Sequence, residues 1–176
     1  MDELNQIKKE FFAYRNGIVT ESLKNAGDPH KYIMGCQLTD IVSITSQHSK
    51  SAQLSTELWQ CTNYRECRLA ATMLYPDDEF GIDMAMNWAQ SIESVEVADV
   101  LCIKLLKHLD YANSLYNELI NSTNELVQYT GFRLLLNLVL SKKIVITEEL
   151  KSHIQNRAVN CSPIVSPVLR SILEES

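Results

Sequence analysis

A cation, a carboxylate and a phenol occupy one register of this chain. Arg68, Asp99 and Tyr129 follow one another at steps of 31 and 30 residues (68 to 99, then 99 to 129), and Arg133 lies one helical turn beyond Tyr129. Each has two readings. Arg65 and Arg68 can contact phosphate, or, with Glu66 and the acidic 77–79 segment nearby, form an inter-repeat ion pair, the reading expected first. Asp99, in the first turn of a helix, offsets the helix dipole or serves a ligand or a reaction. Trp59 and Trp88 stand among Leu58, Met84 and Met86, where core packing is expected ahead of base stacking. His30, His48, His108 and His153 are scattered, without HxxxH or Cys/His spacing, so no metal site is expected. The chain contains no GxGxxG, P-loop or GxSxG, which leaves nucleotide and esterase chemistry without support. Five cysteines, Cys36, Cys61, Cys67, Cys102 and Cys161, form no CxxC pair and read as buried free thiols in a reducing compartment.

The chain that must position these groups has 176 residues, 45% of them hydrophobic, enough for one substantial core and one domain, residues 1–176. Sixteen Lys and Arg against 22 Asp and Glu give a net charge of -6. Residues 1–88 hold 8 basic and 12 acidic side chains and residues 89–176 hold 8 and 10, so neither half is a basic module. A surface for nucleic acid has to be assembled by the fold against an acidic background. The N-terminal MDELNQIKKEFF lacks the apolar core of a signal peptide, and the most apolar run, FRLLLNLVL, is too short to span a bilayer. The expectation is a cytoplasmic protein without membrane contact.

Five glycines and four prolines punctuate long segments with apolar residues at helical spacing. Helices are expected near residues 2–15, 18–26, 36–47, 51–61, 64–75, 78–91, 95–108, 111–122, 124–140, 147–159 and 164–174. Asp77-Asp78-Glu79 after Pro76 reads as an acidic first turn, and Thr147-x-Glu149 opens another helix. NAGDPHKYIMGC, with Gly27, Pro29 and Gly35, reads as a loop. Shifted by 61 residues, ELWQCTNYRECRLAATML lies over ELINSTNELVQYTGFRLL, matching Leu58 to Leu119, Asn63 to Asn124, Ala70 to Gly131 and Leu74 to Leu135; VEVADVLCIKLL fits halfway and adds Leu105 to the last register. A period near thirty with two helices per period means stacked helical hairpins. The expected fold is all-α, a right-handed α-α superhelix of HEAT-like hairpin repeats, whose second helices line a concave surface bearing Arg68, Asp99 and Tyr129 in a row.

The segment LWQCTNYRECRLAA resembles the LW…REF.AA segment of AlkD-type DNA alkylation repair glycosylases, which are built from HEAT-like helical repeats. With the following SVEVADVLCIKLLKH, the similarity extends over residues 50–140 and more loosely over 140–175. The resemblance implies cleavage of the N-glycosidic bond of cationic alkylated purines, on duplex DNA held across the concave face, with no cofactor. It implies Asp99 as the catalytic carboxylate that stabilises the sugar cation or positions water. Lys107, Arg133 and Arg68 become DNA backbone contacts, and Tyr129 an aromatic contact to the lesion. The family's tryptophan before the aspartate falls near Val95, its arginine near Tyr129 and its C-terminal tryptophan near Pro167, with Arg133 placed to replace the lost cation. With those groups replaced, base excision is expected to be weak or absent and, where present, dependent on Asp99. A second class of function is a non-catalytic scaffold whose groove takes a protein segment, which the acidic balance favours.

Overall fold

A computed structural model describes residues 2–175. The described chain is helical throughout, with an isolated bridge between Tyr32 and Tyr64 as its extended pairing. It gathers into two compact units, Met1–Phe80 and Gly81–Ser176.

The first unit contains α1 (Glu3–Ala13), α2 (Gly17–Asn25), α3 (Leu38–Thr45), α4 (Ala52–Gln60) and α5 (Arg65–Leu74). Asp2, Asn16 and Ser51 start α1, α2 and α4 by accepting hydrogen bonds from otherwise orphaned first-turn amides. The α4–α5 hairpin is the centre of this unit, with α3 and α1 packed on it. Ala70 and Ala71 are fully buried, which lets α4 come close enough for the Ser55 hydroxyl to donate to Ala71 O. Ile7, Phe11, Ile41, Ile44, Leu58, Leu69 and Leu74 fill the core around the hairpin.

The stretch 27–36 is a loop, as its glycines and proline indicate, and α5 pins it. Tyr32 N donates to Asn63 O at 2.8 Å, and Arg65 N donates to Tyr32 O at 3.2 Å, giving the first turn of α5 a partner for one exposed donor. Glu66, only 1% exposed, then accepts three hydrogen bonds: from Met34 N at 3.1 Å, Gly35 N at 3.0 Å and Arg65 Nη1 at 2.9 Å. Arg65 Nη1 also donates to Cys36 O at 3.1 Å. Gly35 has φ +78°, and a side chain there would run into Asn16 O, so the position needs glycine on both counts.

The second unit contains α6 (Ile82–Gln90), α7 (Val95–Lys104), α8 (Ala112–Leu119), α9 (Glu125–Leu140), α10 (Glu148–Ala158) and α11 (Ser166–Glu174). The central helix is α9, packed against α6, α7, α8 and α11. The acidic run Asp77–Glu79 is not the first turn of α6; it is a separate 3-10 turn, and α6 begins after Gly81. The segment expected as one helix over 95–108 ends at Lys104. Leu105 takes φ -128° and ψ -64° with its side chain fully buried, and a 3-10 turn at Leu106–His108 follows. Burying Leu105 there wins over one more helical hydrogen bond. Leu74, Leu105 and Leu135 are all buried, as their shared register requires.

Gly131 sits mid-helix in α9, where glycine costs about 1 kcal/mol against alanine. Its lack of a side chain is what lets α8 approach: a Cβ there would lie 2.7 Å from Ile120 N, 2.8 Å from Leu119 Cβ and 2.9 Å from Ile120 Cγ2. Gly131→Ala is therefore expected to destabilise despite its better helix propensity, by about 1–3 kcal/mol through overpacking. Denaturant unfolding of the variant checks this, and a stabilised variant would show that α8 yields without strain.

Candidate functional site

The register that carries Asp99 and Tyr129 becomes a contact between α7 and α9. Ser94 caps α7 through Val97 N at 3.3 Å, and Asn124 caps α9 through Leu126 N at 3.0 Å and Val127 N at 3.3 Å. The two helices then lie side by side in the same sense. Tyr129 Oη donates to Asp99 Oδ1 at 2.6 Å, Cys102 Sγ donates to Thr130 O at 3.4 Å, and at the far end Lys143 Nζ donates to Lys107 O at 2.6 Å.

Arg133, one turn after Tyr129, brings Nε to 3.2 Å from the same Asp99 Oδ1. The carboxylate side chain is 34% exposed and that of Arg133 30%, so the pair sits at the surface with its inner side dry. Tyr129 is 7% exposed. Burial raises the Asp99 carboxyl above its ordinary value, opposed by the Tyr129 hydrogen bond and the Arg133 charge and assisted by Glu96. Burial and the Asp99 contact push the Tyr129 phenol up, so it remains a protonated donor. The arrangement is a half-buried carboxylate held in orientation by a phenol and a guanidinium, which can accept a hydrogen bond or face a developing positive charge.

Asp99 therefore sits where ionisation is unfavourable to folding. A carboxyl with a raised folded pKa contributes stability below its unfolded pKa and loses that contribution as the pH rises through the folded value. Asp99→Asn keeps an acceptor for Tyr129 and removes the titration. The variant is expected to melt no lower than wild type at pH 7, with its relative stability falling as the pH drops through the carboxyl range. Thermal melts across that range check this. A variant clearly less stable at pH 7 would make Asp99 a structural anchor.

The other expected site residues divide. Lys107 is half-buried in the turn after α7. The bond from Lys143 to its carbonyl brings the ends of α7 and α9 together, so Lys104, Lys107, Lys142 and Lys143 gather at one end of the pair. The sequence reading missed Lys142 and Lys143; the signal was the SKK directly after the long apolar helix. Tyr129 is corrected in role: its ring is buried and its hydroxyl acts on the carboxylate, so it does not present a face to a lesion. Arg68 is corrected in place. It is fully buried in the first unit, with Nη1 donating to Trp59 O at 2.7 Å and its guanidinium 3.6 Å from the Trp59 ring centroid. A guanidinium held by a carbonyl and an aromatic face can lie in a core, which is why its charge misled. Arg65 pairs with Glu66 as its neighbour on the same helix, and Trp59 and Trp88 are core residues. Val95 and Pro167 stand at the start of α7 and α11 with partly exposed surfaces. Among the described residues no group of three or more His, Cys, Asp and Glu could hold a metal ion, and no helix is long and apolar enough to cross a membrane.

The motif residues Leu58, Trp59, Arg65, Glu66, Ala70 and Ala71 are thus all buried in the α4–α5 hairpin, and they specify the scaffold. The same scaffold is found in a solved structure described as belonging to "a new family of proteins related to the HEAT-like repeat DNA glycosylases with affinity for branched DNA structures". It superposes with a TM-score of 0.85 over 99% of this chain and 75% of that one, at 15% sequence identity. No curated protein matches the chain. The model of the family described as "DNA alkylation repair enzyme" matches residues 7–157, most of both units. By that match, on a HEAT-like helical-repeat fold, this chain belongs to the DNA alkylation repair enzyme family.

Proposed function

We propose that the protein binds distorted or branched duplex DNA on the surface built by α7 and α9, and that it excises alkylated bases weakly or not at all. The observation that carries this reading is the state of Asp99, whose Oδ1 is shared by Tyr129 and Arg133. Arg133 replaces the family's arginine from one turn further on, but it partly neutralises the carboxylate that would face a sugar cation. The aromatic faces that favour a cationic base, worth about 0.5–2 kcal/mol each, are replaced at Val95 and Pro167. Binding is supported by the lysines at the end of α7 and α9, which concentrate positive charge on an acidic chain, and by the affinity for branched DNA of the structurally similar protein.

Binding to a four-way junction and to a linear duplex, each at two salt concentrations, tests the first half. Arg133→Ala and Lys143→Ala are expected to weaken binding and to lower the salt slope by about 0.9 for each phosphate no longer neutralised. An unchanged slope removes that residue from the surface, and no binding at low salt favours a protein-binding scaffold instead. Release of free base from duplex carrying 3- or 7-methylpurines tests the second half. Release is expected to be marginal and to vanish in Asp99→Asn. Robust release abolished by that substitution would show that the Asp99, Tyr129 and Arg133 group is a full catalytic site.

A further inference from the structure

The first helix sorts its surface by charge. Ile7 and Phe11 of α1 are buried in the core of the first unit. Glu3 and Glu10 stand two turns apart on one flank, where His48 takes both: its Nε2 lies 2.8 Å from Glu10 Oε2 and its Nδ1 3.4 Å from Glu3 Oε1. Asn5, Lys8, Lys9 and Phe12 fall on the other flank at helical spacing. An acidic chain thus presents a local face of lysine and phenylalanine, with the carboxylates of α1 turned away from it.

Those four residues, with Met34 and Tyr64, line an open depression of about 470 Å³. Its far wall is anchored: Met34 N is fixed to Glu66, and the backbone of Tyr32 is paired with Asn63 and Arg65. The Tyr32 and Tyr64 rings stack with their centroids 4.6 Å apart. Lys8 Nζ is 4.7 Å from the Tyr64 centroid and Lys31 Nζ 5.2 Å from that of Tyr32, while the Arg15 guanidinium is 4.2 Å from that of Phe12. Every ring of the group therefore has a cation beside it. Phe12 is 54% exposed and Tyr32 41%, so these two rings can be reached from solvent.

The chemistry of the face selects its ligand. Cations interleaved with exposed aromatic rings hold nucleic-acid single strands, because the cations follow the phosphates and the rings take the bases. An acidic peptide satisfies the lysines and leaves the rings without a partner. A paired duplex keeps its bases stacked on one another, out of reach of Phe12 and Tyr32. An unpaired strand supplies a phosphate and a π-face at every residue.

We propose that the first unit binds single-stranded DNA across this face, with bases stacked on Phe12 and Tyr32 and phosphates on Lys8, Lys9 and Lys31. The site adds an unpaired-strand contact to the duplex contact proposed for α7 and α9, and it rests on that reading only for the choice of DNA as the polymer. The two share no residue, so each stands or falls alone.

The test is fluorescence anisotropy of the full-length protein with a labelled oligothymidylate of about twelve nucleotides, alongside an abasic strand of the same length and a linear duplex. Oligothymidylate is expected to bind at low salt about tenfold more tightly than the abasic strand. Phe12→Ala is expected to weaken it about tenfold at an unchanged salt slope, and Phe12→Tyr, which keeps the ring, to bind like wild type. Lys9→Gln is expected to lower the salt slope by about 0.7, the value for one phosphate of a single strand. Both positions are exposed, and thermal melts matching wild type show that the variants fold. Duplex binding is expected to be unchanged in all of them. Abasic and thymidylate strands bound alike, or Phe12→Tyr as weak as Phe12→Ala, would overturn the proposal. So would polyglutamate displacing the strand as well as unlabelled oligothymidylate of equal charge, which would make the face a site for acidic peptide. Duplex bound without oligothymidylate overturns this site and leaves α7 and α9 untouched; oligothymidylate bound without duplex keeps this site and removes the other.

Discussion

Glu66→Ala is expected to cost about 3–5 kcal/mol, because it removes one partner from a buried ion pair and strands the rest. Arg65, itself 3% exposed, would keep its bond to Cys36 O but lose the neighbouring carboxylate. The amides of Met34 and Gly35 would lose their acceptor in a place that water reaches poorly. Glu66→Gln, which keeps an acceptor but not the charge, should fall between wild type and alanine. Urea unfolding measures the loss, and hydrogen exchange locates it, with Met34 and Gly35 losing protection first. A loss under about 1 kcal/mol would mean that the loop is held by the Tyr32 pairing and its own packing.

Leu105→Ala is expected to cost about 2–5 kcal/mol, the sum of lost transfer energy and an unfilled cavity. Leu105 is fully buried at the point where α7 breaks, and Leu101 and Leu106 beside it are fully buried too. A site walled by fully buried neighbours collapses poorly, which puts the value in the upper part of that range. A reversible melt that shifts by less than about 1 kcal/mol would place the repeat register elsewhere.

The repeat was legible because its signal is redundant: many apolar positions at one period fix the helices and put Leu74, Leu105 and Leu135 in the core. Asp99 and Tyr129 share that register, and so their proximity in the second unit was readable at a step of 30 residues. Their hydrogen bond was not, since it depends on how far α7 and α9 are rotated about their own axes, which the period does not fix. Glu66 was read only as a charge beside Arg65, because its other two donors are backbone amides of an irregular loop and leave no side-chain trace. Arg68 was misplaced for the opposite reason: an arginine in a motif suggests a ligand, while here it is fully buried, with a carbonyl and an indole ring among its partners. The positive charge at the ends of α7 and α9 was only partly legible: Lys107 was singled out, while Lys142 and Lys143, directly after the apolar α9, were not.

The Glu66 anchor also sets an order of events during synthesis. The amides of Met34 and Gly35 find their acceptor 32 and 31 residues further along the chain. The first two helices and the loop after them therefore leave the ribosome before the group that fixes them exists. They lack that anchor until α5 emerges. A nascent chain stalled before residue 66 is expected to be cut by protease in the loop around Met34 and Gly35, and one stalled after α5 has cleared the exit tunnel is expected to resist there.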